Sequence, residues 1–283
     1  MNYFFTLIRE AKEREEEKEF TKAFNLYTQS EQHTQSQASL IKIKAKKAWC
    51  LHSVGNPKET DSLFQEILAS FPKAPLSTVV YSKYLIKTKR YKAAKNLLAK
   101  GIEEFPTYLE NYLILASLLK DTERSEEAIE ILKLALSQDE LTRARGIDRK
   151  DIWAELGSLY FSRGDFNSSL ACLKKSLKMS RAEDFLHYDV LSLCYLELED
   201  PDNALKSIHY FLEYRGEIDP DILLILARAQ CRLGLIDEAA QNLIQAYSYE
   251  DSLSLKAHDF IDFAPLLRNG FFTTLENIEW EDE

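Results

Sequence analysis

Apolar residues recur along this chain at steps of three and four, break at a short polar turn, and resume at the same steps. The clearest stretch runs from 150 to 176. Trp153, Leu156 and Tyr160 lie on one stripe, Gly164-Asp165 follows, and Phe166, Leu170, Leu173 and Leu177 form a second stripe. Such spacing places apolar side chains on one face of an α-helix. A glycine-acid pair between two stripes predicts a turn, so the stretch predicts a pair of antiparallel helices. Gly157 lies within the first stripe, where it lets a second backbone come close.

The pattern repeats. Equivalent hairpins start near 4, 41, 75, 109, 150, 185 and 220, at steps of 37, 34, 34, 41, 35 and 35 residues. The eighth position of each is small: Ala11, Ala48, Ser82, Ala116, Gly157, Ser192 and Ala227. So is the twentieth: Ala23, Thr60, Ala94, Ala128, Ser169, Ala204 and Ala239. The twenty-fourth is large and apolar: Tyr27, Phe64, Leu98, Leu132, Leu173, Ile208 and Leu243. Small side chains let two helices cross closely, and a large one beside them fills the seam to the next pair. A lone hairpin cannot bury its face, so these predict a stacked array.

Trp153-x-x-Leu156-Gly157-x-x-Tyr160, followed by Ser169-x-x-x-Leu173, resembles the tetratricopeptide repeat, whose period is about 34 residues. The resemblance implies an all-α fold, a right-handed α-α superhelix of about seven hairpins plus a C-terminal capping helix. The array would occupy 1–250, a capping helix and closing segment 251–278, and an acidic tail 279–283. Leu253 to Phe263 reads as one more helix. The run Phe263-Ala264-Pro265-Leu266-Leu267-Arg268 with Phe271-Phe272 looks like the segment that closes some bacterial arrays of this family. Turns are expected at Gly55-Asn56-Pro57, Asp200-Pro201 and Gly234, with Asn56 and Asp200 as helix caps and proline in the first turn. Residues 32–40 read as a loop or an extension of the following helix. Residues 139–149 read as a surface insertion.

In this family the first helix of each hairpin lines a concave groove, where protein segments bind. Carried onto this chain, the second, fifth, ninth and twelfth positions face inward. They include Lys42, Trp49, Val79, Lys83, Leu113 and Phe161, then Leu193, Leu224 and Arg228. Lys46 and Lys87 face the same way on the repeat register. Phe5, Ile8, His52, Leu76 and Ile86 share the inward register. An apolar lining with a few polar groups suits an extended or helical peptide. Bulky aromatics such as Trp49 and Phe161 make good anchors once covered. Lys42 and Lys46 match the basic pair of chaperone-binding members, but Arg9 stands where an asparagine is expected, so the full carboxylate clamp is not present.

Charge sharpens this. The net charge is −10, yet residues 41–100 hold thirteen Lys and Arg against three Asp and Glu, a local +10. A basic block in an acidic protein favours an acidic peptide, a C-terminal carboxylate or a phosphate. The overall acidity disfavours nucleic acid, and single-stranded RNA binding stands as a lesser alternative. A regulatory or assembly subunit, using the convex or C-terminal surface, is the other alternative, and self-association is open.

No catalytic set emerges. The five histidines lack metal-ligand partners at helical spacing, and no phosphate loop or nucleophile elbow occurs. Neither a metal nor a cofactor is expected. Cys50, Cys172, Cys194 and Cys231 are far apart and fit core thiols in a reducing compartment. No apolar run approaches a membrane span, so the expected location is cytoplasmic.

Overall fold

The computed structural model describes residues 3–139, 149–215, 220–249, 253–255, 261–268 and 278–280. The chain divides into two compact units, Met1–Asp148 and Arg149–Glu283. Each is built of helical hairpins.

The first unit holds four hairpins: α1 (Tyr3–Glu16) with α2 (Phe20–Glu31), α3 (Gln37–Ser53) with α4 (Pro57–Ser70), α5 (Pro75–Lys87) with α6 (Tyr91–Glu104), and α7 (Leu109–Lys120) with α8 (Ser125–Asp139). Between hairpins, α3 packs on α5 and α5 on α7. The second unit holds three: α9 (Arg149–Ser162) with α10 (Phe166–Met179), α11 (Tyr188–Glu197) with α12 (Pro201–Arg215), and α13 (Pro220–Arg232) with α14 (Ile236–Tyr249). A short 3-10 turn, Ala182–Asp184, precedes α11.

All seven hairpin turns are built alike. Two residues before each second helix the backbone is left-handed: Lys18, Gly55, Lys89, Glu123, Gly164, Glu199 and Gly234 have φ between 59° and 84°. The next amide bonds back five residues, as Glu19 to Arg14, Asp165 to Tyr160 and Leu235 to Gln230. This is the Schellman closure, which satisfies carbonyls left open at a helix end.

The three repeated columns form the core. Every described member of the eighth and twentieth columns is buried, and the twenty-fourth column lies at most 1% exposed. A Cβ added at Gly157 would meet Leu173 Cγ at 2.7 Å, so the eighth position of that hairpin leaves no room for a side chain. Two polar members of the columns bond across the crossing, while the Ser82 and Thr60 hydroxyls donate to carbonyls four residues back, those of Thr78 and Asn56. Ser169 Oγ donates to the Gly157 carbonyl at 2.7 Å, and Ser192 Oγ reaches the Ala204 carbonyl at 3.1 Å. A buried hydroxyl left without a partner costs about 1–3 kcal/mol, so these bonds are required for the packing to hold.

Some expectations change. Residues 37–40 belong to α3, with Ser36 as its cap, so the Gln/Ser-rich stretch divides between a turn and a helix extension. Asn56 sits at the cap of α4, but its side chain makes no capping bond. Instead its carbonyl accepts from the Thr60 hydroxyl at 2.8 Å. Asp200 does cap, accepting from the Asn203 amide at 3.2 Å. Leu253–Leu255 is not helical: it is a short strand, β1, paired in parallel with Ile278–Trp280, β2. The expected acidic tail therefore begins inside a strand, and 281–283 lie outside the described residues, as do 140–148 of the expected insertion.

A short helix, α15 (Ala264–Arg268), follows Asp262 and Phe263. Phe263 and Leu266 are buried with Ala227, Cys231, Ala239 and Leu243 of the last hairpin. Asp262 accepts from Arg228 Nε at 2.7 Å and from Arg232 Nε at 2.5 Å. Arg228 also reaches Glu197 Oε1 at 3.1 Å.

Candidate binding cleft

The inward faces of α1, α3 and α5 enclose a cleft ≈ 380 Å³ in volume. Helix periodicity explains its composition. Lys12, Trp49 and Lys83 are ninth positions of the first three hairpins, so one register position supplies a residue from each helix. Ile8, Ile43, Trp49 and Val80 form an apolar surface. Lys12, Lys42, Lys46 and Lys83 bring four ammonium groups to the same cleft.

Trp49 is held by other rings. Its ring lies edge-on to Tyr84 at 5.5 Å and to His52 at 5.8 Å, and Tyr84 stacks on Phe64 at 4.7 Å. Lys87 Nζ lies 4.5 Å from the Trp49 centroid, a cation–π contact. Trp49 thus offers a half-buried surface in a fixed orientation.

The lysines are not equivalent. Lys46 pairs with Glu15 at 2.6 Å and Lys83 with Glu110 at 2.7 Å. Lys12 and Lys42 are exposed and have no carboxylate partner among the described residues. The same pairing runs through the basic block. Lys47 reaches Glu31 and Lys95 reaches Glu127, each on a neighbouring hairpin, while Arg90 reaches Asp61. Four of the ten excess positive charges counted along the sequence are therefore met by carboxylates that stacking brings alongside from outside 41–100.

Tyr27 adds a donor. It is 1% exposed, lines the cleft, and its hydroxyl lies beside the Glu15 carboxylate without meeting the geometry of a full hydrogen bond. Burial first, then the nearby Glu15 carboxylate, raises its pKa far above the ordinary 10.0. Burial and Glu15 likewise push the Cys50 thiol up to about 12. Both groups stay neutral at physiological pH. Tyr27 can donate a hydrogen bond, and Cys50 is a poor nucleophile. No group of His, Cys, Asp and Glu among the described residues has the arrangement of a metal site.

The other expected groove residues lie in different surroundings. Val79 is buried in the core of the first unit, and Leu113 is half-buried on α7. Phe161 packs tilted on Phe166 at 5.5 Å, against the cluster that includes Leu173 and Phe185. Leu193 and Leu224 pack against cores of the second unit. Arg228 is 3% exposed and its guanidinium is held by Asp262 and Glu197. Lys12, Tyr27, Ile43 and Val80 are cleft residues that the sequence reading did not single out. Lys12 carried a usable signal, because it shares the ninth position with Trp49 and Lys83. Tyr27 carried none: its column reads as seam packing.

Residues 85–147 and 151–183 each match the tetratricopeptide repeat family. Tetratricopeptide repeat protein 29 of Trypanosoma brucei brucei is 30% identical over 125 residues, covering 42% of this chain and 26% of that protein. The match thus spans about a quarter of that relative. Among solved structures, Pseudomonas aeruginosa pilF superposes with a TM-score of 0.62 at 15% identity, over 82% of this chain and 99% of that one. PilW, described as a type IV pilus biogenesis factor, gives 0.58 at 16%, over 74% and 93%. YrrB, described as having an unusual peptide-binding site, gives 0.54 at 14%, over 72% and 97%. At these identities the likeness is one of fold. No helix among the described residues is long and apolar enough to cross a membrane.

Proposed function

The chain is a tetratricopeptide repeat protein, and on that premise we propose that it is a non-enzymatic interaction module whose cleft between α1, α3 and α5 takes an acidic segment of a partner protein. One observation carries this reading: an apolar surface with four lysines gathered in one cleft. A ligand suited to it carries a large apolar side chain beside a carboxylate. The apolar group would cover Ile8, Trp49 and Val80. The carboxylate would meet Lys12 and Lys42, which have no carboxylate partner among the described residues. Four free, buried thiols suit a reducing compartment such as the cytoplasm.

Fluorescence polarisation with labelled acidic peptides tests this. Lys12→Glu/Lys42→Glu should weaken binding at least about tenfold, since reversing two contact charges removes attraction and adds repulsion. Both residues are exposed, so helicity and melting should stay unchanged. Equal binding by this variant would place the interface elsewhere. A second reading, assembly through another surface, is favoured by the exposed pair Tyr210 and Tyr214 on α12, stacked at 6.2 Å and 2°. Loss of a partner from Tyr210→Ala/Tyr214→Ala, with peptide binding intact, would support it.

A further inference from the structure

The cleft calls for a segment with several carboxylates around one large apolar side chain, outside the packed hairpins. The chain itself contains one. Residues 276–283 read Glu276-Asn277-Ile278-Glu279-Trp280-Glu281-Asp282-Glu283, five carboxylate side chains around an isoleucine and a tryptophan. We propose that the α1–α3–α5 cleft of one copy binds the 276–283 segment of a second copy. This rests on the cleft being a peptide site and names its occupant.

Three observations support the match. The first is charge: among the described residues Lys12 and Lys42 are exposed and have no carboxylate partner, while Lys46 pairs with Glu15 and Lys83 with Glu110. A segment rich in carboxylates can engage the first two and compete for the others. The second is the apolar surface. Trp49, Ile8 and Val80 can be covered by an indole, which would bring a large contact area with little conformational freedom to lose. The third is conformation. Ile278–Trp280 is already extended, as a strand paired with Leu253–Leu255. An extended segment enters a groove with less ordering cost than a coil.

The unlike surfaces make the contact heterologous. Two copies can exchange segments reciprocally and close as a dimer, or successive copies can join head to tail. Either way, association depends on concentration and weakens as salt screens the carboxylates from the lysines.

The test combines a peptide and the full chain. A labelled 276–283 peptide is titrated against the wild-type chain and against Lys12→Glu/Lys42→Glu. An unrelated acidic peptide bearing a tryptophan is titrated in parallel. Sedimentation velocity then follows wild type, the cleft variant, Glu279→Lys/Glu281→Lys/Asp282→Lys, and the chain carrying both sets. The expected results are peptide binding weakened at least about tenfold by the cleft variant, self-association lost in each charge-reversed chain, and self-association regained when both reversals are combined. Binding of the unrelated peptide but not of 276–283 would overturn this inference and leave the cleft reading standing. Binding of neither would overturn both. If 276–283 binds yet the wild type stays monomeric up to about 100 μM, while the tail-reversed chain binds added peptide more tightly, the segment occupies the cleft of its own copy, and the second-copy proposal fails.

Discussion

The ninth position of the first helix has two fates in this protein. In the first unit it supplies Lys12, Trp49 and Lys83 to an open cleft. In the last hairpin of the second unit the same position is Arg228, which is buried and bonded to Asp262 and Glu197. Helical register is the same in both. What differs is whether another segment of the chain brings a countercharge and an apolar cover. Register therefore gives a direction, and the neighbours decide whether the side chain stays available.

Breaking the Arg228–Asp262 pair should have the largest effect. Asp262→Ala leaves two guanidinium groups facing no carboxylate from that segment, and removing one partner of a buried pair costs about 3–5 kcal/mol. The expected outcome in a urea titration is a lower midpoint, with the change in the transition that reports the second unit. An unchanged midpoint would mean that α15 contributes little to that unit. The Lys12→Glu/Lys42→Glu change in the first unit should leave stability within about 0.5 kcal/mol.

Crowding comes next. Gly157→Ala sets a methyl group 2.7 Å from Leu173 Cγ, and overpacking of this kind costs about 1–3 kcal/mol. The turns then offer an exchange between the units. Glu123 of the first unit and Gly164 of the second both have positive φ, 60° and 74°. Glu123→Gly should stabilise by about 0.5–1 kcal/mol, and Gly164→Ala should destabilise by about 1 kcal/mol or more, because only glycine adopts this backbone freely. Melting curves of the two variants should move in opposite directions.

The thiols predict a shared response. Burial pushes Cys50 and Cys231 up to about 12 and Cys194 up to about 11, from an ordinary 9.0. Folding thus favours the neutral form. That contribution is complete below pH 9, the unfolded value, and is lost as pH rises through 11 to 12. Urea midpoints should fall between pH 8 and pH 11, and native thiols should alkylate far more slowly than unfolded ones at pH 8. The smallest effect is expected at Glu15. Glu15→Gln releases Lys46 from a half-buried pair but keeps a polar side chain of the same size, so the cost stays near that of a surface pair, about 1 kcal/mol. Stability should fall by no more than this, while acidic peptides should bind severalfold more tightly.

The repeated small and large columns make the hairpins legible in the sequence, because crossing distance depends on side-chain size at fixed positions. Gly55, Gly164 and Gly234 marked three turns. Asp200-Pro201 marked a fourth, beside Glu199; Lys18, Lys89 and Glu123 hold the same geometry with no turn signal nearby, so those three turns followed only from the period. The cleft was half legible. Lys42, Lys46, Trp49 and Lys83 do come together there. Val79 and Arg228 share the inward register but are buried, because their surroundings come from residues that sequence spacing does not bring near. The basic block carries less unpaired charge than its count along the chain for the same reason: Glu15, Glu31, Glu110 and Glu127 lie outside 41–100 in sequence and beside its lysines in space.

The seven Schellman turns bear on how the chain comes together in time. Each closes locally, with bonds spanning three and five residues, and each joins helices whose small columns meet twelve residues apart. Local closures of this size form within about microseconds, whereas pairings distant in sequence are slow. No hairpin has to wait for a remote part of the chain before its own turn can close. Folding can therefore begin at any of the seven and spread to either side, so a ribosome releasing this chain from its first residue supplies usable nuclei in succession, well before synthesis ends.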